Sequence, residues 1–573
     1  MTTLVILRFL GIFAVYTGVT LALPALMFRR ILRGRSLAEQ FLMCYTFGNF
    51  YIINIVFLLQ LLHISNFFTL AGLTAVLSIV IGGRVNRIPL KQQAGNTWHL
   101  FGKLLRGRMK LKSAIFLFLG KCAEGIKRLA KFFYRHIVKN PIQSMLLLGI
   151  GVCLCWIYGR QIILVYGYRA SDIPVHMSWI NEMSRGKIFA KGVYPFGFHC
   201  MIYYLHAVFR FDTYVILCQF FFAQVIFMHL VLLAMLKQLC KTKYIPYIGT
   251  FVFLLGNFWS GQTYSRFYAT LPQEFGMIFV IPSIYFLIRF FQIPKQKLAD
   301  KETRLTLQCF AMAFSLTLAI HFYGTMIAGL CCIGIACGFC FRFLRKEYFR
   351  RIMFTGICSV FLAVLPMGIA FATGTPLQGS LGWGLSVING GKSSSSTETE
   401  AETDEAETLE VSTGDDKNTV RVVKPDGTVM EIDVSDLPSA QENESGGQTQ
   451  TENTAPAVPK VSFGEKIRKI PGKAKNALSE MSSRILEFII KLDVKNIGYM
   501  ILASFALLLL LGLVFCIFRQ PGYGAMLMSM GFCMWIVTIL LCAGVFGLPP
   551  LMDGARCSIY YVYLLSAALT ALA

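Results

Sequence analysis

Apolar runs of 17 or more residues recur from one end of this chain to the other, and no other feature constrains its fold as strongly. A run of that length crosses a lipid bilayer as a helix, because hydrocarbon offers the backbone no other partner for its N–H and C=O groups. Composition agrees: 55% of the 573 residues are apolar and 15% are charged, against roughly 45–50% and a quarter in soluble domains. A soluble enzyme, a disordered chain and a disulfide scaffold are excluded. Seventeen cysteines show no paired metal-ligand spacing and sit mostly inside apolar runs, as small buried hydrophobes do.

The expected fold is an all-α polytopic membrane protein with about thirteen transmembrane helices. They lie near Leu4–Met27, Phe41–Leu62, Phe67–Gly83, Met145–Val165, Tyr214–Met235, Tyr247–Trp259, Pro272–Phe291, Leu305–His321, Tyr323–Phe341, Ile352–Thr373, Ile497–Phe518, Gly524–Val545 and Ser558–Ala573. The last run reaches the terminus with no polar tail, as a truncated chain would.

Charge sets the topology. Residues 84–142 hold 14 Lys/Arg and one acid, Glu124, so this segment is cytoplasmic. Its interleaved apolar and basic residues predict amphipathic helices lying on anionic lipid. Arg29, Arg30, Arg33 and Arg35, then Lys237, Lys241 and Lys243, then Lys295 and Lys297, then Arg342 to Arg351, fall on the same side. The N-terminus and the long loop from Tyr166 to about Phe211 are therefore extracytoplasmic, and that loop is amphipathic.

Sixteen of the 30 acids crowd into Ser393–Pro459, a polar extracytoplasmic insertion expected to be disordered apart from a hairpin over 419–434 around Pro425-Asp-Gly427. The chain thus divides into a three-span region (1–83), the basic segment (84–142), a transmembrane core (143–390), the acidic insertion (391–459), amphipathic helices (460–495) and C-terminal spans (496–573).

Elimination locates the chemistry. Outside the insertion there are 14 acids, and five of them face the extracytoplasmic side of the core: Asp172, Glu182, Asp212, Glu274 and Asp553. Asp172 stands out in Tyr168-Arg-Ala-Ser-Asp-Ile-Pro-Val-His176, where a helix after Pro174 puts Asp172 and His176 on one side. Asp212 reads as an N-cap, Glu182 as solvated, and Glu274 as a first-turn acid with a functional reading equally open. Asp553 stands three residues before Arg556, and the simplest reading is that the pair neutralises itself near the interface. Tyr194 and His199, Arg266 and His321 come from other loops of the same face. Arg169, Arg266, Arg556, His199 and His321 suit an anion such as a lipid phosphate. No metal-ligand set occurs.

Asp172-x-x-x-His176, Gly186, Tyr194-Pro-x-Gly-x-His199 and Arg556 after Leu548-Pro549 resemble the polytopic glycosyltransferases of the GT-C superfamily, over roughly residues 143–373 and 497–573. The resemblance implies a polyprenyl-phosphate sugar as donor and Asp172 as the catalytic base. His176, Tyr194, His199, Arg266, Glu274, His321, Asp553 and Arg556 are the candidate substrate-binding residues. It further implies a cell-membrane enzyme whose active face is extracytoplasmic. No cofactor and no nucleic-acid partner are expected, only the lipid-linked donor, membrane lipids and an acceptor glycan, lipid or protein. The chemistry fits, since a phosphate leaving group needs cations while the acceptor hydroxyl needs one carboxylate. The main alternative is a transporter or flippase of a lipid-linked or anionic substrate; a scaffold organised around the acidic insertion is the other.

Overall fold

The computed structural model describes residues 2–108, 110–165, 167–379, 410–413, 419–423, 429–433, 475–490, 495–518, 520–549 and 551–573. The chain forms two units, 391–471 and the remainder. Within the first, three strands are described: β1 (Glu410–Thr413), β2 (Thr419–Val423) and β3 (Val429–Asp433). They form an antiparallel sheet in the order β1-β2-β3, with Val422 opposite Met430 and Val411. The β2–β3 pair flanks Pro425–Gly427, while β1 had no signal in the alternation pattern. The expected disorder of the rest of 391–459, and the helices expected from 460 to 474, fall outside the described residues.

The larger unit is helical, and among the described residues eleven helices are long and apolar enough to cross a membrane. They are α1 (Thr2–Met27), α2 (Leu37–Leu61), α3 (Phe67–Asn86), α6 (Pro141–Leu164), α9 (Thr213–Leu239), α12 (Pro272–Gln292), α13 (Lys301–Ile320), α15 (Lys346–Ala372), α16 (Asn496–Ile517), α17 (Pro521–Leu541) and α18 (Gly554–Leu572). Two shorter apolar helices, α10 (Ile245–Trp259) and α14 (Phe322–Gly338), lie between them. The basic segment forms α4 (Leu90–Leu105) and α5 (Leu111–Lys139), on which Trp98, Phe116 and Tyr134 are exposed. Three short helices, α7 (Ile173–Ser184), α8 (Gly197–Phe209) and α11 (Gly261–Arg266), carry candidate site residues.

Helix starts follow local chemistry. Ser36 caps α2 by accepting from Glu39 N, Asn66 and Thr69 form a capping box on α3, and Pro sits in the first turn of α6, α7, α10, α12 and α17. Helix α9 is apolar on every side and is buried along most of its length, as a central helix must be. Its Phe227 stacks on Tyr45 of α2 at 4.7 Å, and Tyr45 stacks in turn on Phe279 of α12 at 5.6 Å.

The loops sort into two ends. At one, Arg35 pairs with Glu302 at 2.5 Å, Lys295 with Glu347 at 2.6 Å, and Gln238 bonds Ser36. These are the basic loops. At the other end, Gln60 donates to Met183 O at 2.9 Å and His63 Nδ1 bonds Gly186 O at 3.0 Å. The N-terminal spans thus brace the C-terminal end of α7.

Candidate functional site

The loop 192–199 is held on two sides by close backbone approach. Val193 N donates to Pro376 O at 2.8 Å, and Gln378 N donates to Val193 O at 3.2 Å, which ties the loop to the segment after α15. Gly192 has φ +105, and a Cβ there would lie 2.8 Å from the Gln378 backbone, so only glycine suits this position. Gly197 opens α8 against α13, where a Cβ would meet Ala319 O at 2.7 Å. That approach brings His199 alongside His321, which ends α13.

Asp172 precedes α7 and makes no side-chain cap bond. Its Oδ1 accepts from Ser171 Oγ at 3.2 Å, and the residue is half-buried. One turn on, His176 is buried and its Nδ1 lies 3.1 Å from His199 Nε2. Trp179 stacks on Phe196 at 5.4 Å and meets Tyr194 at the same distance. Tyr194 in turn meets the His321 ring edge-on at 6.3 Å.

Arg266, from α11, donates Nε–H to Glu274 Oε1 at 2.7 Å and Nη2–H to Gln273 Oε1 at 3.4 Å. Glu274 is only 2% exposed and its Oε2 has no protein partner; Arg266 is 31% exposed. Arg556, at the start of α18, lies over the Tyr323 ring at 5.6 Å. Among the described residues it forms no ion pair.

Electrostatic interactions tie these groups into one cluster. Burial pushes the His176 imidazole down to about 4, with Asp172 opposing and Arg266 reinforcing the shift. Burial pushes His321 down to about 3, reinforced by Arg556, His176 and Arg266. His199 falls well below its usual range through burial, then through His176 and His321. Glu274 raises the Arg266 guanidinium most, with further support from Asp172. The cluster therefore gathers three imidazoles whose charged form is disfavoured, the side chains of Asp172 and Glu274, and two guanidiniums.

Eight of the nine residues expected from sequence meet here. The ninth, Asp553, is exposed; its Oδ2 accepts from Ala555 N at 3.1 Å, an N-cap role. It does not pair with Arg556 among the described ion pairs. Arg169 is held elsewhere, on the Gln161 and Val165 carbonyls and over Phe221 and Tyr268. Glu182, expected to be solvated, pairs with Arg185 at 2.7 Å and is 21% exposed. Asp212 caps α9 through Val215 N. One group was missed: Tyr560, buried and facing Arg266. Its position four residues after Arg556, on the same helical face, was the available signal.

Among the described residues no cluster of three or more His, Cys, Asp and Glu is placed to hold a metal ion. No protein-family model, no curated protein and no solved structure matches the chain.

Proposed function

We propose that this chain is a membrane glycosyltransferase that moves a sugar from a polyprenyl-phosphate donor to an acceptor hydroxyl on the extracytoplasmic side. The observation that supports it most is one carboxylate and one guanidinium, neither bound in an ion pair among the described residues, in a single cluster of side chains. Asp172 is not used as a helix cap, and Arg556 is held over Tyr323 within reach of His321 and Tyr194. In a single displacement, the acceptor O–H gives its proton to Asp172 while its oxygen bonds the anomeric carbon. The bond from that carbon to the phosphate oxygen breaks with inversion. The electron pair leaves on the phosphate, whose charge Arg556 meets. Arg266 is already engaged by Glu274, so its part is to shape the site.

The topology belongs to the same proposal. Helices α10 and α14, of 15 and 17 residues, reach ~22 and ~25 Å at 1.5 Å per residue and complete thirteen spans. The basic loops then face the cytoplasm of a cell membrane and the candidate site faces away from it.

The distribution of charge disfavours the transporter reading. A transporter holds ionisable groups at mid-membrane. No Asp, Glu, Lys or Arg of the eleven candidate spans lies more than about two turns (~7 residues) from a helix end, and the mid-span His229 imidazole of α9 is buried and bonds the Val225 carbonyl of its own helix. The test is Asp172→Asn, assayed with radiolabelled polyprenyl-phosphate sugars presented singly to reconstituted protein. The amide keeps the shape but accepts no proton, so turnover should fall by ~10²–10⁴ with donor binding retained. Wild-type turnover in the purified variant removes Asp172 from the mechanism.

A further inference from the structure

His199 is fully buried among Trp179, Phe196 and Phe198, with ring centroids 5.1, 4.6 and 5.3 Å away. Its Nε2 meets Nδ1 of His176, and its own Nδ1 has no protein hydrogen-bond partner. Both rings are neutral, so each carries one N–H and the contact has two possible arrangements. In the first, His199 donates Nε2–H to His176 Nδ1. His199 Nδ1 is then a bare acceptor, and His176 carries its proton on Nε2. In the second, His176 donates Nδ1–H. His199 Nδ1–H is then a buried donor with no protein partner, and His176 Nε2 is a bare lone pair.

One consideration separates them. A buried N–H without a partner is the rarer orphan in folded proteins. The second arrangement leaves His199 Nδ1–H as such an orphan, so the first is selected. Asp172, Arg266 and His321 lie within electrostatic reach of His176, and Nε2 is its one ring nitrogen free of His199.

We propose that His199 holds His176 in the Nε2–H tautomer, making His176 a fixed, uncharged hydrogen-bond donor to a substrate oxygen beside Asp172. The role as substrate donor rests on the glycosyl-transfer reading; the tautomer does not. The ligand atom is a hydroxyl or phosphoryl oxygen. His199 acts through His176 and is a positioning residue. In the second arrangement, His176 would be a second base competing with Asp172 for the acceptor proton.

The test uses full-length protein with ¹⁵N-labelled histidine in lipid nanodiscs at neutral pH, with His176→Gln identifying the His176 signals. Both rings should show a protonated Nε2 and an unprotonated Nδ1. A protonated Nδ1 on His176 overturns the proposal. His199→Gln, whose amide N–H stands in for Nε2–H, should keep the His176 pattern, and His199→Leu should lose it to a mixture of tautomers. An unchanged His176 in His199→Leu shows that His199 does not set it. If His199→Leu does not fold, the wild-type spectrum alone decides. Unimpaired transfer by Asp172→Asn would remove the base assignment and leave the tautomer result standing, so the two failures are distinguishable.

Discussion

Removing Arg266 should harm this protein more than removing the carboxylate it binds. Glu274 is 2% exposed, and its other oxygen already lacks a protein partner, so Arg266→Ala leaves a carboxylate in a nearly dry site with no counter-ion. Breaking a buried pair in that way typically costs ~3–5 kcal/mol. Arg266 is 31% exposed, so Glu274→Gln leaves a cation that water reaches, and the amide oxygen still accepts from Nε–H at the same place. That change loses a charge-assisted bond, roughly 1.5–3 kcal/mol at most. The double variant Arg266→Ala/Glu274→Gln leaves no buried charge and should fall between the single changes. Its coupling energy should be ~1–3 kcal/mol, in the range of residues in direct contact. Arg266→Lys supplies charge but not the fork that reaches both Glu274 and Gln273, so it should recover only part of the loss. The assay is thermal unfolding of purified protein in one detergent, read as the midpoint of loss of monodisperse protein. The expected order from highest to lowest midpoint is wild type, Glu274→Gln, double variant, Arg266→Ala. A double variant less stable than Arg266→Ala, or an Arg266→Ala midpoint equal to wild type, would refute the claim that this pair is a buried, mutually dependent unit.

Two further outcomes are expected. His176 has a folded value near 4 against an ordinary 6.5. As pH falls from 6.5 toward 4 the unfolded chain gains a proton that the folded chain refuses, and stability drops by up to ~3 kcal/mol. Thermal midpoints of wild type should therefore fall more steeply with acid than those of His176→Gln, and parallel curves would contradict it. Deleting Ser393–Pro459, which lies inside the separate unit 391–471, should leave protein that inserts in membranes and stays monodisperse in mild detergent; aggregation would show that the larger unit depends on it.

The sequence disclosed the apolar helices because hydrocarbon imposes one requirement that composition alone can report, and it disclosed the two ends because Lys and Arg collect in alternate loops. The candidate residues were found by the same logic, since a charge at a span end is visible without knowing its neighbours. What stayed hidden was pairing. Nothing in Arg266 or Glu274 taken singly says that they bind each other; their contact depends on the break between α11 and α12, which turns an eight-residue separation into 2.7 Å. The same holds for Arg556, expected to neutralise Asp553 three residues earlier. Asp553 instead accepts from the Ala555 N–H, while Arg556 reaches over Tyr323 from a different helix. The loop 192–199 shows the reason most plainly. Gly192 and Gly197 are legible as turn residues, but what they approach, the Gln378 backbone and Ala319 O, lies more than a hundred residues away in the chain. One-body constraints, burial and charge, can be read along a chain. Two-body constraints within the candidate site are decided by which ends the packing of long helices brings together, and they determine which of its charged groups stay outside an ion pair.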